Sequence, residues 1–217
     1  MRYITANKRS VVVPIEIEEQ PSGNRVTGEL ESGSTSDTES FTTDSGGGNR
    51  LLIVETMGNG FANNITYNGV ALTMQVNHDD GTFGCEIWYL INPPTGAHDI
   101  VVTGDSDEVI GYGVTVFWYV DQATPVTNNT VNDGFASSHT TTINPVAVED
   151  MLLVCSLCET STTGGGGSQI EFITITPGGD FADGSYKLGG GGSTSITYTH
   201  ATDFWVYVGT KMNFSAP

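Results

Sequence analysis

Three short stretches concentrate residues able to ligate a metal: His78-Asp79-Asp80, Asp105-Ser106-Asp107-Glu108 and Asp180-Phe181-Ala182-Asp183. Hard carboxylate oxygens on loops suit Ca²⁺, which takes about six to eight oxygen ligands. None of the three has the spacing of an EF-hand loop or of an RTX repeat. A chain with 25 acidic residues also scatters such clusters by chance. Asp105, Asp107 and Glu108 are the candidate Ca²⁺ ligands, weighed against plain solvated loop charge, and no other cofactor is expected.

Cys155 and Cys158 form a C-x-x-C, whose usual uses are metal binding and dithiol redox chemistry. The run Met151-Leu-Leu-Val-Cys-Ser-Leu-Cys158 is written as a strand, however, and strand residues three apart point to opposite faces. The two thiols then cannot share one ion or close on each other. They are expected to be small buried apolar residues. Nucleophilic catalysis has no anchor either: there is no Gly-x-Ser-x-Gly elbow, and His98, His139 and His200 stand alone in the sequence. The chain is expected not to be an enzyme. For sugar binding, which stacks rings on exposed aromatic faces, Trp88, Trp118 and Trp205 lie inside apolar runs and read as core. Tyr112 and Phe135, read as lying in polar loops, are the candidate sugar contacts.

These side chains have to be held by an all-β scaffold. The 217 residues include 28 glycines and many Thr and Ser, and no long segment repeats apolar residues at helical spacing. The stretch Cys85 to Val126 contains three β-branched and aromatic runs separated by Pro-Pro, Gly and Asp-rich breaks, the pattern of adjacent core strands. Leu51-Leu-Ile-Val is apolar on both parities, as in a strand covered on two sides. Asn68-Gly69 between two such runs predicts a type I′ hairpin. Residues 127–141 read as a polar connection with an N-x-T sequon at Asn128, and Asn144-Pro145 as a turn. Two Gly-Gly-Gly-Gly-Ser runs, Gly164–Ser168 and Gly189–Ser193, read as native loops.

Seven basic against 25 acidic residues give a formal charge of −18. Such a chain repels a phosphate backbone and forgoes counterion release, so nucleic acid is not expected as a partner. No segment is apolar for long enough to span a membrane as a helix, and the N-terminus lacks the apolar run of a secretory signal. With only three cysteines, the expected place of synthesis is a reducing cytoplasm. Residues 1–26 hold four of the seven basic residues and read as an extended arm. Arg2, Lys8 and Arg9 supply its charge, and Val12, Ile15 and Ile17 are the apolar anchors that would bind a partner. Residues 27–217 form the folded domain.

Four landmarks occur in order: Asn49-Arg-Leu-Leu-Ile-Val54, Ile65-Thr-Tyr-Asn-Gly-Val-Ala-Leu-Thr73, Glu86 through Gly96, and Val120-Asp-Gln-Ala-Thr-Pro-Val126. Together with Ile196-Thr-Tyr-Thr199 and Trp205-Val-Tyr-Val208, they resemble a β-sandwich module found in phage or viral structural proteins and in bacterial surface proteins. The resemblance runs from about residue 27 to the C-terminus. It implies a single antiparallel, jelly-roll-like β-sandwich and a structural or adhesive role, with no catalytic residues to carry over. The expected function is therefore a virion structural protein, a capsid decoration or cement protein. It would assemble in a host cytoplasm, as a homo-oligomer or against other virion subunits. The alternatives are an adhesive or receptor-binding domain of a tail fibre or surface appendage, and a carbohydrate-binding module.

Overall fold

The computed structural model describes residues 25–147, 150–159, 162–163, 170–189 and 191–214. The arm residues Arg2, Lys8, Arg9, Val12, Ile15 and Ile17 lie outside them, as does the run Gly164–Ser168. The described chain is built of strands: β1 (Val26–Leu30), β2 (Ser36–Thr43), β3 (Leu51–Gly58), β4 (Asn64–Tyr67), β5 (Val70–Ala71), β6 (Thr73–Asp79), β7 (Gly84–Ile91), β8 (Gly96–Thr103), β9 (Ile110–Phe117), β10 (Val126–Val146), β11 (Met151–Cys158), β12 (Thr162–Thr163), β13 (Ile170–Ile175), β14 (Phe181–Leu188) and β15 (Gly192–Met212). A 3-10 turn at Pro177–Gly179 separates β13 from β14.

These strands form an antiparallel β-sandwich of three stacked sheets. The front sheet runs β2-β8-β4-β5, the middle sheet β1-β9-β3-β7-β6, and the back sheet β10-β15-β11-β14-β13 with β12 on β15. The middle sheet is covered on both faces, which is why β3 and β9 are buried at every position. Alternate residues of β3 serve the two cores. Leu52 and Val54 pack with Trp88, Tyr112 and Trp118 against Phe41, Tyr67 and Ile100 of the front sheet. Leu51, Ile53 and Met57 pack with Ile87 against Leu153, Leu157, Val206 and Val208 of the back sheet. Burying one such aliphatic side chain is worth roughly 1.5–3 kcal/mol, so this double-sided strand is the main cohesive element.

Local chemistry fixes the edges. Asn68 and Gly69 have φ of 50° and 73°, the left-handed pair that a type I′ turn demands. Glu86 Oε2 accepts from Thr56 Oγ1 at 2.6 Å, Ala62 N at 2.9 Å and Trp88 Nε1 at 3.1 Å, and so pins the loop after β3 to the middle sheet.

The back sheet departs most from expectation. Residues 127–141 are not a polar connection: they belong to β10, which pairs with β15 along nearly its whole length. Asn144-Pro145 falls inside β10, at a register shift rather than at a turn. The β10–β15 ribbon is too long to lie flat, and its distal half curls back over the outer face of β11. Ile143, Ile196 and Tyr198 thereby enclose a third core with Leu152, Val154, Trp205 and Tyr207. The fold-back is held by Lys187 Nζ donating to Ser195 O at 3.0 Å. A break in the ladder permits the bend: Ala136 pairs with Asp203 and Ser138 with Thr199, so two steps on β10 are met by four on β15.

Candidate functional site

The third core contains the densest chemistry in the described chain. Cys155 and Cys158 do face opposite sides of β11, Cys155 toward the middle sheet and Cys158 outward under the curled ribbon. Cys158 nevertheless is not alone. His139 on β10 and His200 on β15 are brought over it by the fold-back, with His200 beside the ladder break. One ring nitrogen of each histidine and the Cys158 sulfur all lie within 4.8 Å of one another, and all three residues are buried. The expectation that His139 and His200 are solitary is thus corrected. They are separated by 61 positions in sequence, yet His139 Nδ1 lies 3.2 Å from His200 Nε2.

The outer nitrogens are engaged elsewhere. His200 Nδ1 donates to the Ala201 carbonyl at 2.7 Å, and a carbonyl only accepts, so Nε2 of a neutral His200 is a lone pair turned toward His139. His139 Nε2 is 2.9 Å from Ser156 Oγ, and the Ser156 hydroxyl also reaches the Val206 carbonyl at 3.4 Å. The His139 ring is stacked on Trp205, Tyr198 and Tyr207, with centroid distances of 4.7, 5.0 and 5.5 Å.

Burial and the neighbouring His200 push His139 down to about 3, so its imidazole is neutral at any ordinary pH. Burial, reinforced by Cys85, Asp183 and Asp203, pushes the Cys158 thiol up to about 12. A catalytic cysteine needs the opposite conditions, a thiolate stabilised by a cationic histidine and open to substrate. The N, N, S set suits a borderline or soft metal ion instead. The run of alternate inward positions His139, Thr141, Ile143 and Ile196, Tyr198, His200 is the one signal from which sequence reasoning could have found it: both histidines keep step with buried residues.

The other candidates fare differently. Asp105 Oδ1 accepts from Asn63 Nδ2 at 2.9 Å, and Glu108 Oε2 accepts from the Asp105 backbone N–H at 2.9 Å. Those hydrogen bonds tie the two carboxylates to their own loop, and among the described residues Asp105, Asp107 and Glu108 do not form a group of three converging ligand atoms. Tyr112 is a core residue on β9, fully buried, its hydroxyl donating to Asp37 Oδ2 at 2.6 Å, so its ring offers no face to a sugar. Phe135 is 60% exposed on β10 and packs edge-on against Phe204 at 5.0 Å. With Phe83 these rings line a shallow cleft of about 220 Å³ rimmed by Asp80, Asp133 and Glu159. Asp133 is held toward β6 by His78 at 2.7 Å. Glu159 shares a hydrogen bond with Asp203, which raises its pKa. Compared with protein-family models and with curated proteins, the chain matches none.

Proposed function

We propose that this chain is a non-enzymatic structural protein of a virus particle, a capsid decoration or cement subunit that works by binding neighbouring subunits. The observation that carries the reading is the outer edge of the back sheet. β10 is the terminal strand there, 21 residues long, and it presents Val131 and Phe135 with Phe204 of β15 as exposed apolar side chains. A long edge strand with an apolar patch favours pairing with another chain. Three free, buried cysteines fit assembly in a reducing cytoplasm. The resemblance of the sequence landmarks to a module of phage structural proteins is in keeping with a virion setting, and the basic arm of residues 1–26 would supply a second element for a neighbour's sheet edge.

The test is Phe135→Ser combined with Phe204→Ser. The double variant should keep the parent circular dichroism spectrum and lose self-association and incorporation into particles. Wild-type incorporation would overturn the proposal. The aromatic cleft with its carboxylate rim favours one second reading, a carbohydrate-binding module in an adhesive domain. That reading requires glycan binding by the monomer, abolished by Phe135→Ser alone.

A further inference from the structure

We propose that His139, Cys158 and His200 bind one transition-metal ion of borderline or soft character, for which Zn²⁺ is the probe, independently of how the chain assembles. Three observations carry this. The first is the donor set: two imidazole nitrogens and one sulfur from three strands, all buried and within 4.8 Å of one another. A donor set of this type suits zinc or copper and not the alkaline-earth ions. The second is spacing. Two nitrogens bound to Zn²⁺ at about 2.0–2.1 Å in a tetrahedron lie roughly 3.3 Å apart. His139 Nδ1 and His200 Nε2 are already 3.2 Å apart. The Cys158 sulfur lies within 4.8 Å of a ring nitrogen of each histidine, against a sulfur–nitrogen edge of roughly 3.6 Å in such a site.

The third observation is the outer shell. Metal-bound histidines donate their second ring N–H to a fixed acceptor, which sets the tautomer and aims the free lone pair at the ion. Both histidines here have that partner. His200 Nδ1 is on Ala201 O, and His139 Nε2 is on Ser156 Oγ. The Ser156 hydroxyl has two roles open to it. It can donate to His139 Nε2, in which case His139 Nδ1–H donates to His200. It can instead turn its proton to Val206 O and accept from His139 Nε2–H, which frees the Nδ1 lone pair. The second arrangement leaves a lone pair on His139 Nδ1 and one on His200 Nε2, with the Cys158 sulfur close to both rings, where β10, β11 and β15 meet. On binding, the Cys158 S–H bond breaks, a sulfur–metal bond forms and the proton leaves to solvent. The protein supplies three ligands, and the fourth position takes water or an exogenous anion. Asp203 and Glu159, beside the site, and a formal net charge of −18 favour delivery of a cation.

The experiment is titration of the full-length protein with Co²⁺ followed by displacement with Zn²⁺. Binding should saturate at one ion per chain, give a thiolate-to-cobalt charge-transfer band, and resist a large excess of Ca²⁺ and Mg²⁺. Cys158→Ser should remove the band, whereas Cys155→Ser, on the opposite face of β11, should keep it. Ser156→Ala should weaken Zn²⁺ binding by about 10- to 100-fold, as loss of an outer-shell partner does. X-ray absorption of the zinc-loaded wild-type protein should give one sulfur and two imidazoles, a readout that does not depend on any variant folding. No saturable binding, a band that survives in Cys158→Ser, or a zinc shell without sulfur would each overturn the proposal.

Discussion

Glu55 sits in the middle of β3 at 0% exposure, on the face turned to the back sheet, and neither carboxyl oxygen has a hydrogen-bond partner among the described residues. Burial, and to a lesser degree Cys85, hold its pKa well above the ordinary value of 4.5. The folded state therefore keeps Glu55 protonated where the unfolded chain releases the proton. Below the unfolded pKa both states are protonated and the group's contribution to stability is complete. Above it, stability is lost by about 1.4 kcal/mol per pH unit until the folded pKa is reached. Glu55→Gln cannot ionise and has no such slope. Its amide is as poorly satisfied as the acid, so the two proteins differ otherwise only by a pH-independent offset. The informative quantity is therefore the slope. Urea unfolding of both proteins at several pH values and fixed ionic strength should show the variant gaining on the parent by up to about 2.7 kcal/mol between pH 5 and pH 7. The many other carboxylates cancel in this difference. Parallel pH profiles would show that Glu55 ionises in the fold, and would refute the reasoning.

Two further outcomes follow from the middle and front sheets. Gly69→Val places a β-branched residue at φ 73° in open space, so the cost is backbone strain alone, more than about 1 kcal/mol, read as a lower melting temperature. Glu86→Ala removes the one acceptor shared by Thr56, Ala62 and Trp88 and leaves three buried donors unpaired. At about 1 kcal/mol or more for each, the loss should be at least about 3 kcal/mol in urea unfolding, with Glu86→Gln recovering part of it.

Much of the scaffold is legible because its physics is local. Leu51 to Val54, apolar on both parities, allow no place but between two layers, and they hold the middle of the stack. Asn68-Gly69 specifies its turn through two residues that tolerate positive φ. Met151 to Cys158 gives both its strand period and the opposed faces of the two cysteines. The same period argument then misleads. It removes Cys155 as a partner for Cys158 and so makes Cys158 look inert, because the partners that matter come from other strands. Tyr112 misleads in the other direction. Glycines and acids flank it, but its hydroxyl satisfies itself on Asp37, which lets a residue in polar company lie fully buried.

The histidine pair is hidden for a further reason. Thr140 and Thr142 face solvent across from Thr197 and Ser195, bonding them at 2.9 and 2.7 Å, so a ribbon written largely in Thr, Ser and Asn looks like linker. Its inward positions are nearly as polar, and Thr141 and Thr194 are buried along with His139 and His200. Such a ribbon buries little apolar surface of its own, and its base is anchored in the back-sheet core by Val206, Val208 and Met212. The order of dependence runs from that core outward. The contact of His139 and His200 with Ser156 and Cys158 rests on the ladder break between Ala136 and Ser138 that turns the ribbon over, and the break rests on the back sheet. A ligand that binds the assembled donor set would therefore stabilise the curled half of the ribbon selectively, protecting backbone amides of residues 138–143 and 194–200 from exchange while leaving those of β3 as they were.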